Sequence, residues 1–232
     1  MDENDTLINP TAAIRLFAKC LVYFGDEVLT TRRFKTTREA WITSMYLLAL
    51  SRITGCDWWL THVKDKSGSP DFNCYTFVKN DVTNSIDKSS SKVEVFEWRE
   101  THAEKNFINA IKIIKLDKIV DPQLTLVCYI RRNTVLPSAV KLANELKKIN
   151  PKVKDIWYLG DVSADARIWR VTKIFPNIDA IDLNYEKILS TKELVSFVQP
   201  YRSKSNKLEY EKTGRHTILT PEFEVQTLIK LD

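Results

Sequence analysis

Glycine is scarce, with 5 residues in 232, and the aromatic share of 10% is ordinary. That combination excludes a collagen-like or low-complexity chain. The four cysteines, Cys20, Cys56, Cys74 and Cys128, lie far apart with no CxxC pair, and no histidine stands at ligand spacing from them. Such a pattern argues against a zinc cluster and for buried free thiols. His62, His102 and His216 are likewise scattered. His102, between a strand and a helix, suits a capping or surface role. No apolar run approaches the ~20 residues that a membrane helix requires, so no membrane partner is expected. The opening "MDENDTLINP" is acidic and polar and lacks the n- and h-regions of a secretory signal, which predicts a cytoplasmic chain. GxGxxG, P-loop and GxSxG patterns are missing, which leaves nucleotide-binding and serine-hydrolase readings without support.

What is present suits a folded protein with a sizeable core: 44% hydrophobic and 28% charged residues. The formal charge of +5 is a mild excess that favours approach to a polyanion. Pro10 and apolar residues at 14, 17, 21 and 24 predict a helix over 10–29. Thr36 with Glu39 matches a capping box opening a second helix that ends near Gly55. Strands are expected at 57–65, 71–79 and 91–100, with a polar loop over 80–91. An amphipathic helix over 101–116 places Phe107, Ile108, Ile111 and Ile114 on one face. A buried strand follows at 123–132, then a helix from Pro137 to Ile149 and a strand at 153–160. Beyond 160 the pattern allows strands at 167–176 and 180–189, a short helix over 190–200, a charged loop over 201–215 and a strand-like end. With no repeat or linker, the expected organisation is an N-terminal helical segment, 1–35, and a single α/β domain, 36–232, whose central mixed sheet is flanked by helices.

Two stretches carry chemistry. Pro70-Asp71 opens the second strand, and "KVEVFEWR" (92–99) forms the third. Hard divalent cations prefer carboxylate and water oxygens, so acids on adjacent strands suit a metal at a phosphate. Residues two apart on a strand share a face, so Glu94, Phe96 and Trp98 point one way, and Val93, Val95, Glu97 and Arg99 the other. These stretches and the order of elements over 36–132 resemble the PD-(D/E)XK superfamily of restriction-endonuclease-like proteins. The resemblance implies a restriction-endonuclease-like core, Mg²⁺ or Mn²⁺ as cofactor, and nucleic acid, DNA in the first instance, as partner, with a homodimer as one form of assembly. It implies Asp71 and either Glu94 or Glu97 as metal ligands, with Glu39 joining from the helix. That family places a lysine two residues after the strand acid. Here that place holds Phe96 if Glu94 is the acid, or Arg99 if it is Glu97, with Lys92 and Lys105 as other sources of the lysine.

Softer signals concern contact with nucleic acid. "TTRRFKTTR" (30–38) sets Arg32, Arg33, Lys35 and Arg38 ahead of a helix, while Arg131 and Arg132 end the fourth strand. Arg202, Lys204 and Lys207 add charge near the end. Trp58, Trp59, Trp98, Trp157 and Trp169 could stack bases but are expected in the core. Three functions therefore stand: a metal-dependent nuclease, a catalytically inactive nuclease-fold protein that binds nucleic acid or protein, and an unrelated α/β interaction scaffold.

Overall fold

A computed structural model describes residues 7–63, 69–80, 85–163 and 167–190, and beyond them the backbone of 197–202, 208–213, 218–219 and 224–225. Helix α1 spans Pro10–Phe24, with Asn9 accepting the Thr11 N–H as its cap. It stops at Gly25, whose φ of 55° suits a residue without Cβ. The expected continuation to 29 is instead a separate turn, α2 (Glu27–Thr30), followed by a 3₁₀ turn (Arg32–Phe34) and the long helix α3 (Lys35–Thr54). Helix α3 ends at Gly55 in the left-handed conformation, as expected. Its start differs from the expected capping box. Phe34 occupies the cap position without a side-chain bond, and Glu39 faces Lys35 instead. Every residue from Thr37 to Leu47 is buried, because α1 covers one side of α3 and the sheet the other.

Seven strands form one sheet in sequence order: β1 (Trp58–His62), β2 (Phe72–Asn80), β3 (Ser85–Arg99), β4 (Asp121–Arg131), β5 (Val153–Ser163), β6 (Ile168–Phe175) and β7 (Asp179–Asn184). Strands β1 to β3 run antiparallel, β3 to β5 parallel, and β5 to β7 antiparallel again. Parallel neighbours need crossovers. These are α4 (Phe107–Ile111), which runs on into a π-helical turn (Lys112–Leu116), and α5 (Ala139–Ile149). Both crossovers pack on one face of the sheet, over Phe96, Trp98, Leu126 and Ile156. Helices α1, α3 and α6 (Tyr185–Ser190) cover the other face. The result is the expected mixed sheet flanked by helices.

Several boundaries moved. Strand β3 starts at Ser85 and takes in much of the polar stretch read as a loop, because β2 supplies an antiparallel partner for each residue from Ser85 to Val93. Helix α4 starts at Phe107, where the Asn106 side chain accepts the Asn109 N–H. Residues 197–200, read as helix, and parts of the charged stretch form β8 (Phe197–Arg202) paired with β9 (Leu208–Thr213). Phe197, Val198 and Tyr201 favour a strand once such a partner is available. Residues 191–196, Lys204, Lys207 and His216 lie outside the described residues. Near the end, β10 (Ile218–Leu219) pairs with β11 (Glu224–Val225). Among the described residues no helix is long and apolar enough to cross a membrane.

The tryptophans are core residues: Trp58, Trp59, Trp98 and Trp157 are buried, and Trp169 packs against the larger cluster. Trp41 ties the layers together. Its ring stacks on Phe17 at 4.7 Å and meets Tyr129 and Trp169 edge-on at 5.2 Å each. Trp41→Ala is expected to destabilise the fold by about 3–5 kcal/mol, read as a lower urea midpoint. Tyr23→Ala, at a site 79% exposed, should stay within about 0.5 kcal/mol of wild type.

Candidate active site

Strand β3 changes partners along its length. It pairs with β2 up to Val93 and with β4 from Lys92 to Arg99, so beyond Val93 its β2-side edge has no strand beside it. Asp71 sits at this fork. Its N–H donates to the Val93 carbonyl (3.0 Å), its carbonyl accepts the Val63 N–H (3.0 Å), and its Oδ2 accepts the Val95 N–H (2.8 Å). The carboxylate thus continues the β2 edge by one hydrogen bond.

Four more charged groups gather around it. Glu94 is buried on the α4 face of β3 and pairs with Lys115, from the π-helical turn. Glu39, one turn into α3, pairs with Lys35 at 3.2 Å. Burial pushes the Glu39 carboxyl up to about 7, Asp71 and Glu97 add to the rise, and Lys35 opposes it. Burial also raises Asp71, against the Val95 N–H, Lys115 and Lys35. Glu94 is raised by burial and then by the Asp71 charge, with Lys115 and the Ser69 hydroxyl opposing. Burial works against the charge on Lys35, but Glu39, Asp71 and Glu94 together outweigh it and raise its pKa. Three carboxyls and two ammoniums therefore share one field in a poorly solvated place.

Glu97 lies on the opposite face of β3, as strand alternation requires. Its Oε1 accepts from Arg38 Nε (3.2 Å), and its Oε2 from Arg99 Nε (3.1 Å), with Arg131 at 3.9 Å. Arg38 is itself buried and donates to the Val28 and Thr31 carbonyls (2.8 Å each), which puts its charge inside the fold. Arg32 is exposed, while Arg33 lies 5.3 Å and 5.2 Å from the Phe24 and Phe34 ring centres. Lys92 is committed to Asp121 at 2.9 Å, and Lys105 is exposed. His102 Nδ1 accepts the Arg99 N–H (2.9 Å), which fixes its turn.

Asp71 lies in the field of Glu94 and Lys115 on one side and of Glu39 and Lys35 on the other, while Glu97, held by Arg38 and Arg99, faces α3 and adds to the rise of Glu39. The lysine beside Glu94 is Lys115, which sequence reasoning overlooked. A signal for it existed: Lys115 follows Ile111 by four positions, so it falls on the apolar face of Phe107, Ile108 and Ile111. A lysine there needs a partner.

Among the described residues no three His, Cys, Asp or Glu side chains converge as a ready metal cage. Mg²⁺ does not require one, since it keeps several waters and binds through one or two carboxylates. Glu94 Oε2 is buried and has no hydrogen-bond partner among the described residues, the state of an oxygen suited to a cation. Asp71 and Glu94, whose charges act on one another, are two carboxylates of the type a hard divalent ion takes. Comparison with protein-family models, with curated proteins and with solved structures found no match to this chain.

The raised carboxyls set the pH dependence of stability. A carboxyl whose folded pKa lies above its unfolded value binds its proton more tightly in the folded state. The Glu39 carboxyl therefore destabilises the fold above pH 7, and this loss is recovered as pH falls from about 7 to 4.5. Glu39→Gln is expected to be more stable than wild type at pH 8 by about 2 kcal/mol, a figure that falls toward zero near pH 4.5. Urea titrations at a series of pH values read this difference, and equal midpoints at pH 8 would contradict it.

Proposed function

We propose that this chain is a restriction-endonuclease-like protein that hydrolyses phosphodiester bonds of nucleic acid, DNA first, using Mg²⁺ or Mn²⁺ held by Asp71 and Glu94. The observation that carries the reading is the pairing of Lys115 with Glu94 beside Asp71, at the fork where β3 leaves β2. An acid pair and an ammonium are the parts such a site needs, and here they come from two strands and a crossover helix.

A bound divalent ion would polarise the phosphate and ease ionisation of a water. Asp71 and Glu94 would hold the ion, Asp71 with its other oxygen accepting the Val95 N–H. Glu39, with its carboxyl near pH 7, is matched to take the proton of the attacking water at neutral pH. Lys115 opposes the charge that develops on the phosphate oxygens. Phe96, two residues after Glu94, is buried in the core under α4. With Lys115 in reach of Glu94, that position does not need a lysine, which favours the active reading over the inactive one.

Wild-type protein is expected to cut DNA in Mg²⁺ or Mn²⁺. Asp71→Asn and Glu94→Gln should abolish cutting, and Lys115→Met should slow it by about 10²-fold or more. Asp71→Asn keeps an oxygen for the Val95 N–H, so circular dichroism should still show a folded protein. Calorimetry should find Mn²⁺ bound more tightly at pH 8 than at pH 6, because protons compete for carboxyls whose pKa values are raised. Wild-type protein that leaves single-stranded DNA, duplex DNA and RNA intact in both metals would sink the proposal.

A further inference from the structure

Around Glu97 the charges do not balance. Arg38, Arg99 and Arg131 approach one carboxylate, an excess of two positive charges in one place. Arg38 is enclosed, but the side chains of Arg99 and Arg131 keep 32% and 23% exposure. These two residues are also register partners across the parallel β3–β4 pair, so their side chains leave the sheet side by side on the same face. Like charges directly opposite one another destabilise a strand pair. Glu97 offsets part of that repulsion and leaves the rest.

The pair has donors to offer. A guanidinium carries five N–H groups in a planar fork. Arg99 uses Nε and one terminal nitrogen on Glu97, and Arg131 uses one terminal nitrogen on the Leu29 carbonyl and Glu97. The second terminal nitrogen of each has no hydrogen bond to a described residue. Paired guanidiniums with spare donors match the geometry of a phosphate. They stand at the carboxyl ends of parallel strands, where open α/β sheets receive ligands. Five residues of strand, about 17 Å, separate Arg99 from Glu94, and the two side chains leave β3 on opposite faces.

We infer that Arg99 and Arg131 form a phosphate-binding subsite that holds a further phosphodiester of the nucleic acid whose scissile bond lies at Asp71 and Glu94. The identity of this anion rests on the hydrolytic reading above. Arg38 is the positioning residue: it holds Glu97 and the α2 carbonyls, and Glu97 orients the two forks.

The test is the salt dependence of binding to a labelled single-stranded DNA, read by fluorescence anisotropy in Ca²⁺. Arg99→Gln/Arg131→Gln should flatten the slope of log K against log salt by about 0.7, the value for one lost phosphate contact. Arg99→Lys/Arg131→Lys, which keeps the charge, should hold the wild-type slope. If the double glutamine variant does not fold, Arg99→Gln alone should flatten the slope in the same direction by part of that amount. A folded glutamine variant with the wild-type slope would overturn the subsite, as would wild-type protein that does not bind the DNA. The two proposals separate cleanly. Cutting in Mg²⁺ with an unchanged slope leaves the acid centre standing without the subsite. An arginine-dependent slope without cutting leaves the subsite standing without the hydrolysis.

Discussion

The exchange of partners along β3 is the constraint on which the site depends. At Val93 the strand loses β2 on one edge and is held by β4 on the other, so the Val95 N–H would have no strand acceptor. A buried backbone group left unpaired costs about 1–3 kcal/mol. Asp71 supplies the acceptor from its side chain. The same carboxylate that closes the fork thereby stands against Glu94, whose pKa it raises. The residue that closes the fork is thus also the one whose charge acts on Glu94.

The two acids of β3 show how counter-ions divide the work of one strand. Glu97 faces α3 and is surrounded by guanidiniums, which stay charged at any ordinary pH. Glu94 faces α4 and is matched by one ammonium, while Asp71 adds negative charge nearby. With all groups ionised, Asp71, Glu94 and Lys115 leave the first side net negative, while Glu97 with its three arginines, beside the Lys35–Glu39 pair, leaves the second net positive. The two faces of one strand thus carry opposite net charge.

Much of this was legible in the sequence where local rules act alone. Alternation separates Glu94 from Glu97 whatever the tertiary context, and Pro70-Asp71 marks a strand opening. The order of strands and crossover helices followed from hydrophobic runs. Glu39 was legible as a residue of the second helix, but the reason offered for it was wrong: no cap forms, because the 3₁₀ turn at Arg32–Phe34 delivers the chain straight into helix at Lys35. Nothing local reveals that Arg38 is buried, since its partners lie on α2 and on β3, 59 residues away. The change of partner at Val93 was equally hidden, because it depends on where β4 joins.

Lys115 and Glu94 explain one another in a way that stability alone does not. Each would be a buried charge without the other, and losing one partner of such a pair is more damaging than never having had it. Yet a buried ion pair is seldom more stable than two apolar side chains of similar volume, and this pair lies at the edge of an apolar core that Leu and Phe could extend. The lysine also leaves Glu94 Oε2 without a partner among the described residues, so the pair does not complete its own hydrogen bonding. Its position in a π-helical turn adds to the argument, because single π turns interrupt α-helices most often at functional sites. A costly, incompletely satisfied pair beside a second carboxylate is more than the packing of the fold requires.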